Sequence, residues 1–311
     1  MIALVIMGVI TSQLFVMLNA QQRGFRGTSR TLDLQESTRL VSDLIAFDTR
    51  NGGMLVPRET AVSSDDGGAN GPDRLCVSDG TFFPIPAPGV VDTFWDNLGD
   101  RFPGASVVTS GSTNDVVVDS LDIDGQGGLV DFTVGAGLII ASPVGTTSHC
   151  AVITGIDTAT RMIRFEQSAP FSPNGAIVVP AIVYRIDPGT TLIRRNDMVL
   201  SNNVQDLQVE FWVDNRGSPN GLEDADEFPV HDLTAATSFV INTARIRRVQ
   251  ISIVGISDQA DDARGITADR FTRPRVANRT DVVTSDRTYQ LFVTSVLPRN
   301  ILDPGAIAGV P

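Results

Sequence analysis

Three hydrophobic periods follow one another along this chain. From Met1 to Leu18 (MIALVIMGVITSQLFVML) the residues are apolar and uncharged, broken only by Thr11, Ser12 and Gln13. At about 1.5 Å per residue such a helix covers about 27 Å, so the run is expected to span a bilayer. A cleaved signal peptide is the rival, but no Lys or Arg precedes Ile2 and no small-residue cleavage pattern follows Leu18. The second period is helical and amphipathic. Leu32, Leu34, Leu40, Val41, Leu44, Ile45 and Phe47 form a mostly 3–4-spaced stripe, with Glu36, Arg39, Asp43 and Asp48 at the polar positions between. Asn51-Gly52-Gly53 should stop this helix near Arg50. Between the two lie Gly24 and Gly27, each about 1 kcal/mol poorer than Ala in a helix, and a bend or locally melted stretch is expected there.

Beyond Pro57 short β-branched runs take over, separated by Gly, Pro, Asn and Asp. They are expected as strands at Asp115–Val118, Leu138–Ala141, Ala151–Ile156, Met162–Phe165, Ala176–Ile186, Val204–Val213, Arg245–Ile256 and Tyr289–Val296. Ser63–Asp73, Asp214–Glu227 and Ser257–Asp286 read as loops, and Asp303–Pro311 as a frayed tail. The expected fold is α+β: a long N-terminal helix, transmembrane and then amphipathic, packed on a predominantly antiparallel β head. The divisions expected are 1–20 for the first helix, 21–53 for the second, 54–302 for the head and 303–311 for the tail.

A chain of 311 residues with 42% hydrophobic content can bury a substantial core. Its net charge of −12 argues against nucleic acid as a partner, because phosphate binding needs clustered cations. Every cation is Arg; there is no lysine. Cys76 and Cys150 stand alone, without a C-x-x-C pair, which excludes the common zinc signatures. In an oxidising compartment they are candidates for a disulfide, which would close a loop of about 75 residues for about 4 kcal/mol on the chain-entropy model. Two unrelated buried thiols are the alternative.

The order of elements resembles the type IV pilins and the pseudopilins of type II secretion. Met1-Ile-Ala-Leu-Val-Ile-Met-Gly-Val-Ile10 resembles the body of a prepilin N-terminus, and Leu32–Gly53 resembles the helix-to-head transition of minor pilins of the PilW type. Further similarities run through Asn114–Val118, Thr191–Arg195, Val204–Phe211, Ile246–Ile253 and Tyr289–Val296, followed by Arg299-Asn300. The resemblance implies a structural subunit that initiates, caps or joins a pilus-like filament. It also implies other pilins as partners, an inner-membrane assembly platform, and a head outside the cytoplasm, in the periplasm or on the cell surface. Ile2, Leu4, Ile6, Gly8, Ile10 and Leu14 are the residues assigned to the assembly helix on this basis. A J-type pseudopilin is the nearest variant, and a membrane-tethered binding module or adhesin is the reading from another class. The family's processing glycine and nearby glutamate do not precede the apolar run here, so a start upstream of Met1 is expected.

Thr11, Ser12 and Gln13 are candidates for hydrogen bonds between subunits, or for bonds back to their own helix. The acidic loop offers Asp214, Asn220, Glu223, Asp224 and Asp226 as oxygen ligands for a structural calcium, with a solvated hairpin as the alternative. It lacks the EF-hand frame. Asp119–Gly125 is a weaker version of the same pattern. Catalysis finds little support: the only histidines are His149 and His231, no nucleophile elbow or phosphate loop is present, and His149 and Cys150 are adjacent and so point to opposite strand faces. No enzymatic role and no other cofactor are expected. Arg245, Arg247 and Arg248 bracket a strand, either solvated and paired locally or set to dock an acidic subunit.

Overall fold

The structure, a computed structural model, describes residues 2–53, 56, 60–68, 71–78, 105–123, 131–142, 147–169, 172–214, 227–230, 246–258 and 271–298. It begins with a single helix, α1 (Ile2–Asn51), 50 residues long. The strands follow as β1 (Val62–Asp65), β2 (Arg74–Ser78), β3 (Ser106–Gly111), β4 (Asp115–Val118), β5 (Gly137–Ala141), β6 (Ser148–Asp157), β7 (Met162–Phe165) and β8 (Ile177–Ile186). Next come β9 (Ile193–Arg195), β10 (Met198–Ser201), β11 (Val204–Asp214), β12 (Glu227–Val230), β13 (Ile246–Ile256), β14 (Phe271–Thr272), β15 (Thr284–Ser285) and β16 (Tyr289–Val296).

Two features of the sequence expectation are corrected. The protein is mostly β, with one N-terminal helix, rather than an α+β chain with a membrane-spanning segment. Among the described residues no helix is long and apolar enough to cross a membrane. Thr11, Ser12 and Gln13 interrupt the apolar run near its middle, and Asn19, Gln21, Gln22 and Arg23 follow it at once. The locally melted stretch expected at Gly24 and Gly27 is also absent, since α1 stays helical through both. Thr28 Oγ1 donates to Gly24 O at 3.1 Å and Thr31 Oγ1 donates to Gly27 O at 3.0 Å, so both hydroxyls bond back to their own helix. The helix stops where its sequence says it should: Gly52 N donates to Asp48 O, and Gly53 sits at φ +84°, a left-handed cap that glycine adopts without a Cβ clash.

The strand pairings of the first sheet close on themselves. β8 pairs with β3, β3 with β4, β4 with β7, β7 with β6, β6 with β5, and β5 again with β8, all antiparallel. This six-stranded barrel is filled, not hollow: Val116, Val118, Leu138, Ile140, Ile153, Ile163 and Val178 meet inside it. The second half of β8 leaves the barrel and pairs with β2 along Ala181–Tyr184 and with β9 along Tyr184–Ile186. The outer wall of the barrel carries Ile139, Cys150, Val152 and Val179, which pack with Cys76 and Val183. There the Sγ atoms of Cys76 and Cys150 are bonded at 2.03 Å, pinning β2 to β6.

A second sheet, in the order β12–β11–β13–β16, completes the head. Its inner face presents Leu207, Val209 and Phe211 from β11 and Val249, Ile251 and Ile253 from β13. These meet Leu75, Val77, Ile182 and Tyr184 of the first sheet and Val41, Ile45 and Ala46 of α1 in one continuous core. The two sheets are stitched at an edge of β11: Asp73 N donates to Leu207 O at 2.8 Å, and Val209 N donates to the Asp73 carboxyl at 2.7 Å.

Candidate functional site: the helix and its seat

The helix divides by environment. Every described side chain from Ile2 to Leu18 is exposed, and the first buried residue is Leu34. From there Leu34, Thr38, Val41, Ser42, Ile45, Ala46, Asp48 and Thr49 are buried, on spacings of three and four that make one face. That face lies across β13 and β16. Gly255 of β13 allows the approach: a Cβ there would stand 2.5 Å from Thr38 Oγ1 and 3.0 Å from Leu34 Cδ1. The Ser42 and Thr294 hydroxyls are 2.6 Å apart, tying helix to β16.

Near its end the helix is locked by charge. Asp48, placed among the polar positions by sequence, is buried, and its Oδ2 accepts from the Tyr184 hydroxyl and from Arg195 Nε at 2.8 Å. Burial, and then the neighbouring carboxylate, push the Tyr184 hydroxyl far above its ordinary pKa, so it stays a donor. Burial works against the Arg195 charge, yet the Asp48 contact outweighs it and the pKa of Arg195 rises. Gly53 N donates to Ser78 Oγ at 2.7 Å one step beyond. The helix therefore leaves the head at a fixed direction, and residues 2–33 extend about 48 Å from its seat at about 1.5 Å per residue.

Of the residues assigned to assembly, Ile2, Ile6, Ile10 and Leu14 stand 79%, 54%, 53% and 56% exposed. A methyl group placed on Gly8 would meet nothing within 4 Å, and Leu4 lies in the helix with its side chain outside the described residues. Thr11 takes the local option, donating to Met7 O at 2.8 Å. Three members of the sequence stripe do not face the head: Leu32, Leu40 and Phe47 are 58%, 63% and 60% exposed. With Leu18 and Phe25 they recur every seven or eight residues, the spacing of a seam along one side of a helix.

The remaining candidates fare differently. Asp214 ends β11, while Asn220, Glu223, Asp224 and Asp226 lie outside the described residues. Among the described residues no group of three or more His, Cys, Asp or Glu is placed to hold a metal. Asp119 accepts from Ser106 Oγ and Val107 N, so it fastens the β3–β4 hairpin. His149 is buried, with Nε2 3.4 Å from Gln167 O. Arg248 lies over the Trp212 ring at 4.1 Å, Arg247 is buried, and Arg245 lies outside the described residues.

Sequence reasoning missed two buried polar nodes. In one, Asp73 accepts from Gly67 N and Val209 N beside Asp66, whose carboxylate takes the Asn278 amide. Burial, helped by the charge of Asp66, pushes the Asp73 carboxyl up to about 8 against two backbone hydrogen bonds that pull it down. In the other, Arg273 and Arg279, within the segment read as a loop, are buried against Asp206 of β11 and Asp281. Burial raises the Asp206 pKa despite both guanidinium groups. Comparison of the chain with known protein families and with characterised proteins returns no match.

Proposed function

We propose that this chain is a structural subunit of a pilin-like filament, in which copies pack through the free part of α1 and carry the β head on the outside. The observation that carries this reading is the apolar length of helix held clear of the head. Ile2, Ile6, Met7, Val9, Ile10, Leu14, Phe15, Val16, Met17 and Leu18 are all more than half exposed. Burying a large aliphatic or aromatic side chain is worth about 1.5–3 kcal/mol, so a surface of this size left in water is costly until other helices cover it. The seam of Leu18, Phe25, Leu32, Leu40 and Phe47 extends the same contact toward the head.

The resemblance to PilW-type minor pilins agrees with this role, with J-type pseudopilins as the nearest variant. A place outside the cytoplasm, in a periplasmic or surface filament, suits the Cys76–Cys150 disulfide, which needs an oxidising compartment. The test is sedimentation of the full chain beside Ile10→Asp and Leu14→Asp. The intact chain should associate, and both variants should associate at least tenfold more weakly at an unchanged melting temperature. Association as strong in both variants as in the intact chain would end the proposal.

A further inference from the structure

We infer that the outer edge of β16 takes up an extended strand from a second copy of this chain. The four-stranded sheet has two ends, and they are built differently. At one end β12 has only four residues, one of which, Pro229, discourages further pairing. Where β12 does not reach, Asp73 occupies Leu207 O and Val209 N on the bare edge of β11. That end is closed.

The other end is β16, which among the described residues pairs with β13 alone. Its register runs without a shift from Ile256 opposite Tyr289 to Val249 opposite Val296. Ser257 N donates to Thr288 O at 3.0 Å, which fixes the side toward which each residue turns. In an antiparallel ladder the N–H and C=O of one residue point the same way and alternate along the strand. Gln290, Phe292 and Thr294 therefore bond to β13, and Leu291, Val293 and Ser295 turn their backbone groups outward.

Nothing in β16 protects that row. Tyr-Gln-Leu-Phe-Val-Thr-Ser-Val contains no charge, no Pro and no Gly, and Val293 is 53% exposed. Edge strands ordinarily carry a charge, a proline or a bulge for this purpose. On a chain of net charge −12, an uncharged edge is also where another copy approaches without like-charge repulsion. An uncharged, β-branched strand of that copy would add main-chain hydrogen bonds along Leu291–Ser295, the mode of strand addition. The inference stands apart from the helix contact.

The experiment uses the full chain with Val293→Pro, which deletes one outward N–H and leaves the β13 ladder intact, and with Val293→Arg as a second block. Association is followed by sedimentation over a concentration series, and amide hydrogen exchange is read at Leu291, Val293 and Ser295. Both variants should associate at least tenfold more weakly at an unchanged melting temperature. In the intact chain the three amides should exchange at least tenfold more slowly when associated than when dilute. Equal exchange in both states, or variants that associate as the intact chain does, would overturn the inference. Loss of association on Ile10→Asp alone, with Val293→Pro silent, would overturn it while leaving the helix contact standing.

Discussion

The two parts of α1 carry comparable apolar side chains to opposite ends. Ile45 is fully buried between two sheets, whereas Ile10 is 53% exposed. What separates them is not hydrophobicity but company. Around Ile45 the chain supplies a face at three- and four-residue spacing, a glycine on β13 that admits the helix, and the Asp48–Tyr184–Arg195 lock. Around Ile10 the described residues leave the side chain more than half exposed, so the same kind of residue contributes stability in one place and leaves an uncovered surface in the other. A helix built this way is half component and half connector.

The contrast is broken most severely from the seated side. Ile45→Ala should cost about 2–5 kcal/mol by leaving a cavity in the shared core, read as a drop in the denaturation midpoint. Asp48→Ala should cost about 2–3 kcal/mol, because it strands the Tyr184 hydroxyl and the Arg195 guanidinium at the helix seat. Asp48→Asn, which keeps an acceptor, should recover part of that loss.

A separate effect, specific to the head, comes from pH. Asp73 keeps its proton in the folded head up to about 8, whereas its ordinary value is 3.8. Between those values the folded state binds the extra proton, so stability should fall as pH rises from about 4 to about 8 and level off above. Asp73→Asn should flatten that slope in a series of melts across this range, and substitutions on the free helix should leave it unchanged. The smallest effect sharpens the comparison from the other side: Ile10→Ala and Phe15→Ala should change stability by less than about 0.5 kcal/mol, since both side chains are more than half exposed.

Much of the strand order was legible. Asp115–Val118, Met162–Phe165 and Tyr289–Val296 have the bounds that their β-branched runs indicate. Several short strands were missed, three of them, Val62–Asp65, Phe271–Thr272 and Thr284–Ser285, in stretches that read as loops; Arg74–Ser78 and Ser106–Gly111 are rich in Ser, Thr or Arg and become strands because β8 stands ready to pair with them. Barrel closure depends on β3 meeting β8, a contact between distant parts of the chain that no local period reports. The helix stripe was read as one face, but Leu32, Leu40 and Phe47 point away from the head while Asp48 points into it. Only the position of Tyr184 and Arg195 explains that exchange. Arg273 and Arg279 were hidden for a similar reason: a polar segment reads as solvated until Asp206 is placed opposite it.

The contact between free helices is tested most directly with Ile10→Cys in the full chain. Cys76 and Cys150 are bonded to each other, so the new thiol is the single reactive one. Under mild oxidation of the associated protein, copies should join through residue 10 into covalent dimers, and Arg164→Cys on the head should not. A dimer yield at residue 10 no greater than at residue 164 would contradict a filament held together by α1.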